Sequence, residues 1–299
     1  MPDFGSRLRK LRKEFNLRQK DLAADLGLAQ TTIANYEKNA RFPNQKILTQ
    51  IADYFEVSLD YLVGRSQRRF LPDPFKMVEE DEDTTLNLSP AAETYLKSLL
   101  EGDKEKALKI SKKIARKENG IEKLYFEIFE PSLKGIGKLW EENIIGVEEE
   151  HYFSNVTREI MNRMQEFFPV NNKNDKTVIG LAAAGEMHEI GIKMVMDFFE
   201  FYGWNTYYLG INTPNRSIVN AIKHNRPEII AISATMPNNI NNVKSTIRVI
   251  KSTQEVRDTK IIVGGSAFKH GDKIWKTVGA DGVSFDPRQA VEMAEKLSV

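Results

Sequence analysis

Between residues 173 and 299 the chain repeats one pattern five times, a short apolar run followed by a longer amphipathic stretch. The runs are 177–182, 206–209, 229–233, 260–263 and 282–285, and the stretches between and after them are 190–202, 215–223, 240–251, 272–278 and 288–297. A near-continuous apolar run of this length suits a strand covered on both faces, and parallel strands need a helical crossover to return the chain to the same edge. Strands alternating with helices therefore predict an α/β fold with a doubly wound parallel sheet.

Ligands of such sheets lie beyond the carboxyl ends of the strands, where the winding direction reverses. In a flavodoxin-like strand order that switch falls between the first and third strands. The residues placed there form a coherent set. Glu186, His188 and Gly191 follow the first run, Ser233 and Thr235 close the third, Gly264 and Gly265 the fourth, and Asp286-Pro287 the fifth. Each has an ordinary reading: a histidine can cap a loop, a Ser or Thr can cap a helix, and paired glycines can serve a turn. Together they describe a groove beside the sheet with a metal-binding side chain at its mouth. The chain has no cysteine and four histidines, so disulfides, thiolate metal sites and cysteine nucleophiles are excluded and any transition metal must rely on His.

Length and charge point to further domains. A chain of 299 residues exceeds one small domain. Residues 1–70 hold 13 Lys and Arg against 8 Asp and Glu, whereas Glu79, Glu80, Asp81, Glu82 and Asp83 make the following stretch acidic. A basic module that meets a polyanion, then an acidic tether, is the reading. No apolar run reaches membrane-spanning length, and the Arg- and Lys-rich N-terminus lacks the apolar core of a secretory signal, so a cytoplasmic protein without a membrane partner is expected.

Within the basic module, Leu8, Leu11 and Phe15 recur at helical spacing over 4–15. A second helix, 19–26, stops at Gly27, and a third, 30–38, exposes Gln30, Thr31, Thr32, Asn35 and Lys38 while Ile33 and Tyr36 turn inward. Two helices joined by a tight turn containing Gly match helix-turn-helix geometry. The segments Leu-Arg-Lys-Leu-Arg, Gln-Lys-Asp-Leu-Ala, Gln-Thr-Thr-Ile-Ala-Asn-Tyr-Glu and Phe-Pro-Asn, with Leu59 to Leu62, resemble the λ-repressor-like (XRE) helix-turn-helix family. The resemblance implies that residues 1–66 form an all-α DNA-binding domain for a double-stranded operator. Gln19 and Gln30 would lie at the DNA backbone and first base edges, Thr31, Thr32 and Asn35 would read bases, and Lys38 and Arg41 would touch phosphate. Such domains bind palindromic half-sites as dimers, so a homo-oligomer, dimer or tetramer, is expected.

Residues 67–88, with Pro72, Pro74 and the acidic run, lack an apolar period and read as a flexible tether in which Thr84 and Thr85 are open to modification. Residues 89–172 read as a four-helix bundle: Ser89-Pro90 opens one helix, a second covers 103–117, a third runs from 121 to about 140 and must bend or restart near Pro131, and the last covers 147–168. Trp140, Glu150 and His151 stand out on it; in an arbitrary bundle they would be a core aromatic and a solvated pair.

Their spacing, Trp then Glu-His after nine residues, resembles the helical cap of cobalamin-dependent (CarH/LitR-like) photoreceptor transcriptional regulators. The run Glu186-x-His188-x-x-Gly191, with Ser233-x-Thr235 and Gly264-Gly265, resembles the cobalamin-binding domain of corrinoid proteins. The resemblance implies a multidomain, non-enzymatic transcriptional regulator controlled by adenosylcobalamin or another corrinoid form, with residues 173–299 as a flavodoxin-like cobalamin-binding domain. His188 would be the lower cobalt ligand, oriented by Glu186 where most corrinoid enzymes carry Asp. The nucleotide tail would pass Gly191, Ser233, Thr235, Gly264 and Gly265, and Trp140, Glu150 and His151 would cover the adenosyl side. Light, acting on oligomeric state and operator binding, is the input implied; a light-independent cobalamin or redox response is the alternative. Glu141 rather than His follows Trp140, which puts a bis-histidine product in doubt. A corrinoid enzyme, either a methyl carrier or a mutase subunit, is disfavoured by the DNA module and by the lack of a substrate domain.

Overall fold

A computed structural model of the chain describes residues 3–55, 57–65, 88–169, 173–269 and 273–298. The expected tether, including Pro72, Pro74, the acidic run, Thr84 and Thr85, lies outside the described residues apart from Leu88. Contacts divide the chain into two units, Met1–Asn87 with Gly137–Val147, and Leu88–Ile136 with Glu148–Val299.

In the first unit, helices α1 (Phe4–Glu14), α2 (Gln19–Asp25), α3 (Gln30–Glu37), α4 (Gln45–Tyr54) and α5 (Leu59–Leu62) enclose a core containing Leu8, Leu11, Leu22, Ile33, Ile51 and Leu62. Helix α4 lies outside the stretches expected to be helical from the sequence; Asn44 caps it by accepting from the amide of Ile47. As expected, α2 and α3 are joined by a turn in which Gly27 takes φ +66°. Helix α1 approaches the end of α3 so closely that a Cβ on Gly5 would sit 2.5 Å from the carbonyl oxygen of Tyr36. Beneath the turn, Glu37 accepts from the Arg12 guanidinium and from Gln19 Nε2 at 2.9 Å. The segment Gly137–Val147 buries Leu139, Ile144 and Ile145 and leaves Trp140 47% exposed.

The second unit joins a helical layer to the sheet. Ser89 caps α6 (Pro90–Leu100) as expected, and Asp103 caps α7 (Lys104–Ala115). Next come α8 (Gly120–Lys123), a π-helical stretch Leu124–Phe129 and α9 (Glu130–Glu141) without interruption, the end of α9 from Gly137 onward belonging to the first unit. The helix expected to bend or restart near Pro131 runs on through it, with a wider turn just before it. Proline supplies no amide hydrogen and crowds the carbonyl four residues back, and a π-turn relieves both problems without ending the helix. Helix α10 (Val147–Met164) closes the layer.

The five strands β1 (Thr177–Ala182), β2 (Asn205–Tyr208), β3 (Ile229–Ser233), β4 (Lys260–Gly264) and β5 (Gly282–Ser284) are all parallel, in the order β2-β1-β3-β4-β5. Helices α11 (Ile190–Phe201), α12 (Asn215–Asn225), α13 (Ile240–Ser252), α14 (Ile274–Thr277) and α15 (Pro287–Leu297) follow the strands. The switch between β1 and β3 is the expected one. The helical layer rests on α11: Phe198 packs against Tyr125 and Phe126, with ring centroids at 5.4 and 5.1 Å. Beside it the buried Asp197 accepts from Lys193 Nζ, from Tyr125 Oη at 2.7 Å and from Gln165 Nε2 at 3.0 Å.

Candidate functional site

The loop leaving β1 carries Glu186, whose side chain is fully buried, and His188, whose side chain is 60% exposed. Glu186 spans two loops. Its Oε1 accepts from the amide of His188 at 3.0 Å and lies 2.5 Å from His188 Nδ1; its Oε2 accepts from the amides of Thr235 and Met236 at 2.8 and 3.0 Å and from Asn239 Nδ2 at 3.0 Å. Burial disfavours the charge, but the amides of Met236 and His188, Asn239 and the imidazole outweigh it and hold this carboxyl at about 2. An ionised carboxylate only accepts, so Nδ1 carries the proton and the lone pair of Nε2 is left for another partner.

Two more asparagines fix the loop. Asn212, itself at φ +53°, accepts from the amide of Gly185 at 3.0 Å, and Asn242 Nδ2 donates to the carbonyl of Ala184 at 2.7 Å. Sequence reasoning missed Asn212, Asn239 and Asn242, because an Asn in a loop or first helical turn, even in the Asn-Asn pairs at 238–239 and 241–242, signals only local turn or cap chemistry.

Next to this loop, at the carboxyl ends of β3, β4 and β5 and the start of α11, a cleft of ≈ 190 Å³ is lined by Gly191, Ser233, Thr235, Gly264 and Gly265 together with Val195, Ile262 and Ser284 to Pro287. Seven of the residues expected at the groove, these five glycine, Ser and Thr positions with Asp286 and Pro287, are therefore neighbours. The paired glycines have a clear steric basis: a Cβ on Gly264 would meet the Ser284 carbonyl oxygen at 2.6 Å, and one on Gly265, at φ +98°, the Ala234 oxygen at 2.2 Å. Gly191 differs. A Cβ there would meet nothing within 4 Å, so packing does not demand glycine and the position faces open space.

The expected cap residues are placed as follows. Glu150 and His151 stand on the first turns of α10; Ser154 Oγ donates to Glu150 Oε1 at 2.7 Å, and the His151 side chain is 68% exposed. Trp140 belongs to the segment Gly137–Val147 of the first unit. In that same unit Gln30, Thr31, Asn35, Lys38 and Arg41 are exposed, and Thr32 and Gln19 half-buried. Gln30 Nε2 donates to Gln19 Oε1 at 3.3 Å, so these two form a chain ending on the buried Glu37. That chain sets the start of α3, the second helix of the α2-turn-α3 pair, which is the one that lies in the major groove in helix-turn-helix domains.

Comparison with known proteins gives three family matches along the chain. Residues 5–65 match the family described as a helix-turn-helix domain, residues 91–165 a B12 binding domain and residues 176–294 a second B12 binding domain. An HTH-type transcriptional regulator of Bacillus subtilis, YqaE, is 37% identical over 84 residues, which cover 28% of this chain and 72% of that protein. The dimethylamine corrinoid protein of Methanosarcina barkeri is 28% identical over 123 residues, 40% of this chain and 55% of its own length. The solved monomethylamine corrinoid protein of Methanosarcina barkeri superposes with a TM-score of 0.58 at 19% identity, covering 68% of this chain and 96% of that one.

Proposed function

This chain belongs to the helix-turn-helix transcriptional regulators and carries B12-binding domains, and from that premise we propose that a corrinoid held at His188 controls its binding to operator DNA. The observation that carries the reading is the Glu186–His188 pair at the switch point, with Nδ1 engaged and Nε2 open. Among the described residues no three His, Asp or Glu side chains converge to hold a bare ion. A single imidazole suits a metal already ligated on its other sides. Gly191 and the adjoining cleft leave room for an extended tail, with Ser233 and Thr235 along its wall.

When bound, adenosylcobalamin supplies a cobalt centre whose cobalt–carbon bond is broken by light. The chain's own residues do the rest. Glu186 holds the His188 tautomer and the orientation of its ring. Glu150, steadied by Ser154, offers a carboxylate that can accept from ribose hydroxyls, and Trp140 offers an apolar ring that excludes water. Gln19, Gln30, Thr31, Thr32, Asn35, Lys38 and Arg41 supply the DNA contacts. A change of assembly then alters how many half-sites are held at once, and linked sites bind more tightly than single ones. Light as the input is supported by the Trp140, Glu150, His151 spacing. A light-independent corrinoid response is the second reading, favoured by Glu141, which stands where a histidine would otherwise be available beside Trp140.

Purification with adenosylcobalamin in the dark, followed by absorption spectra and gel filtration before and after green light, tests both. Light sensing requires a spectral change together with a change in mass. A spectral change at constant mass and constant DNA affinity contradicts light sensing and leaves the light-independent regulator; no uptake of cobalamin contradicts both.

A further inference from the structure

One carboxylate beside the candidate cobalt ligand joins three elements. Glu189, the residue after His188 and the N-cap of α11, accepts from Arg158 Nη1 on α10 and from Tyr208 Oη on β2 at 3.0 Å. Its side chain is 20% exposed, and Arg158 is further oriented by Asn155 Oδ1 at 2.9 Å. Burial and the neighbouring Glu189 raise the Tyr208 phenol well above its ordinary value, which keeps it a neutral donor. The negative charge also sits at the positive end of the α11 dipole.

Along α10, Glu150, Ser154 and Arg158 recur every four residues and so share one stripe. Arg158 is the point at which that stripe is tied to the His188 loop, and Glu150 lies about 12 Å further along the helix at 1.5 Å per residue. The loop and the helix thus have a direct polar connection that neither the DNA contacts nor the cleft requires.

We infer that Glu189 is a positioning residue that clamps the His188 loop to the helix bearing Glu150 and His151, so that loading the site at His188 is felt along α10. The inference rests on the corrinoid reading above. An ion pair of merely structural value would leave the response of α10 to the cofactor untouched.

Hydrogen exchange across 147–164, with the full chain empty and loaded with hydroxocobalamin, separates these roles. Uptake is followed independently by the absorption spectrum. In the wild type, loading slows exchange in α10 by about tenfold or more. In Arg158→Ala and in the conservative Glu189→Gln, hydroxocobalamin still binds but the slowing falls to about twofold or less. Glu159→Gln, which removes a carboxylate of the same helix paired instead with Lys104 and Arg163, keeps the wild-type response. A wild type that binds hydroxocobalamin with no slowing in α10, or clamp variants that respond like Glu159→Gln, overturns the clamp and leaves the corrinoid reading standing. A wild type that takes up no hydroxocobalamin overturns both.

Discussion

His188 Nδ1 lies 2.5 Å from Glu186 Oε1, and the other oxygen of the same carboxylate is held by the loop after β3. One buried side chain thus orients the imidazole and ties the first and third strand ends together. Replacing Glu186 with Gln keeps the shape but sets an amide NH2 against a neighbouring donor. Hydroxocobalamin affinity is expected to fall about 10–100-fold, the range for losing a partner that orients a metal-binding histidine. His188→Ala is expected to abolish the nitrogen-ligated spectrum. Absorbance titration reads both; unchanged binding by either variant contradicts the assignment.

Gly191→Gln separates folding from binding. Nothing lies within 4 Å of a Cβ there, so the empty protein is expected to keep its stability or gain up to about 1 kcal/mol from replacing a helical glycine. Hydroxocobalamin uptake is expected to drop sharply because the added side chain enters the cleft. Urea unfolding and absorbance titration on the same sample check the pair of outcomes.

The DNA-binding helix makes a separable prediction. Asn35→Ala is expected to cost about 1–3 kcal/mol and to relax base preference, whereas Lys38→Ala weakens binding to all sequences and lowers the salt slope by about one unit. Binding of a selected DNA library at two salt concentrations distinguishes them.

Acid weakens the first unit through Glu37. Burial opposes its charge, but hydrogen bonds from Arg12 and Gln19 more than compensate, so its pKa is lowered in the fold. A lowered carboxylate stabilises fully above its ordinary value of 4.5 and loses that contribution as pH falls through the lower folded value. Amide exchange in α1 and α3 is expected to accelerate below that point, and Glu37→Gln is expected to flatten the dependence.

Much of this architecture is legible in the chain itself, and the reasons differ by element. The runs at 177–182 and 229–233 coincide with β1 and β3 because central strands buried on both faces read as unbroken apolar stretches. The edge strand β2 is shifted by one residue, at Asn205–Tyr208 against an expected 206–209, since an edge strand is half-covered and its pattern is weaker. The seven groove residues at the cleft follow from topology. Arg158, Glu189 and Tyr208 do not: each reads alone as a solvated polar residue, and only the docking of α10 beside α11 brings them together. Likewise, Pro131 announces a disturbance but not its form, which depends on whether neighbouring packing holds the helix through a π-turn.

The central claim, that a corrinoid at His188 governs DNA binding through α3, is tested most directly by operator affinity. Dissociation constants for a selected operator would be measured with and without adenosylcobalamin in the dark, for the wild type and His188→Ala. The account predicts that the cofactor shifts the wild-type constant by fivefold or more, about 1 kcal/mol of coupling, and leaves His188→Ala unmoved. Equal constants with and without cofactor in a wild type that has bound it would contradict the account.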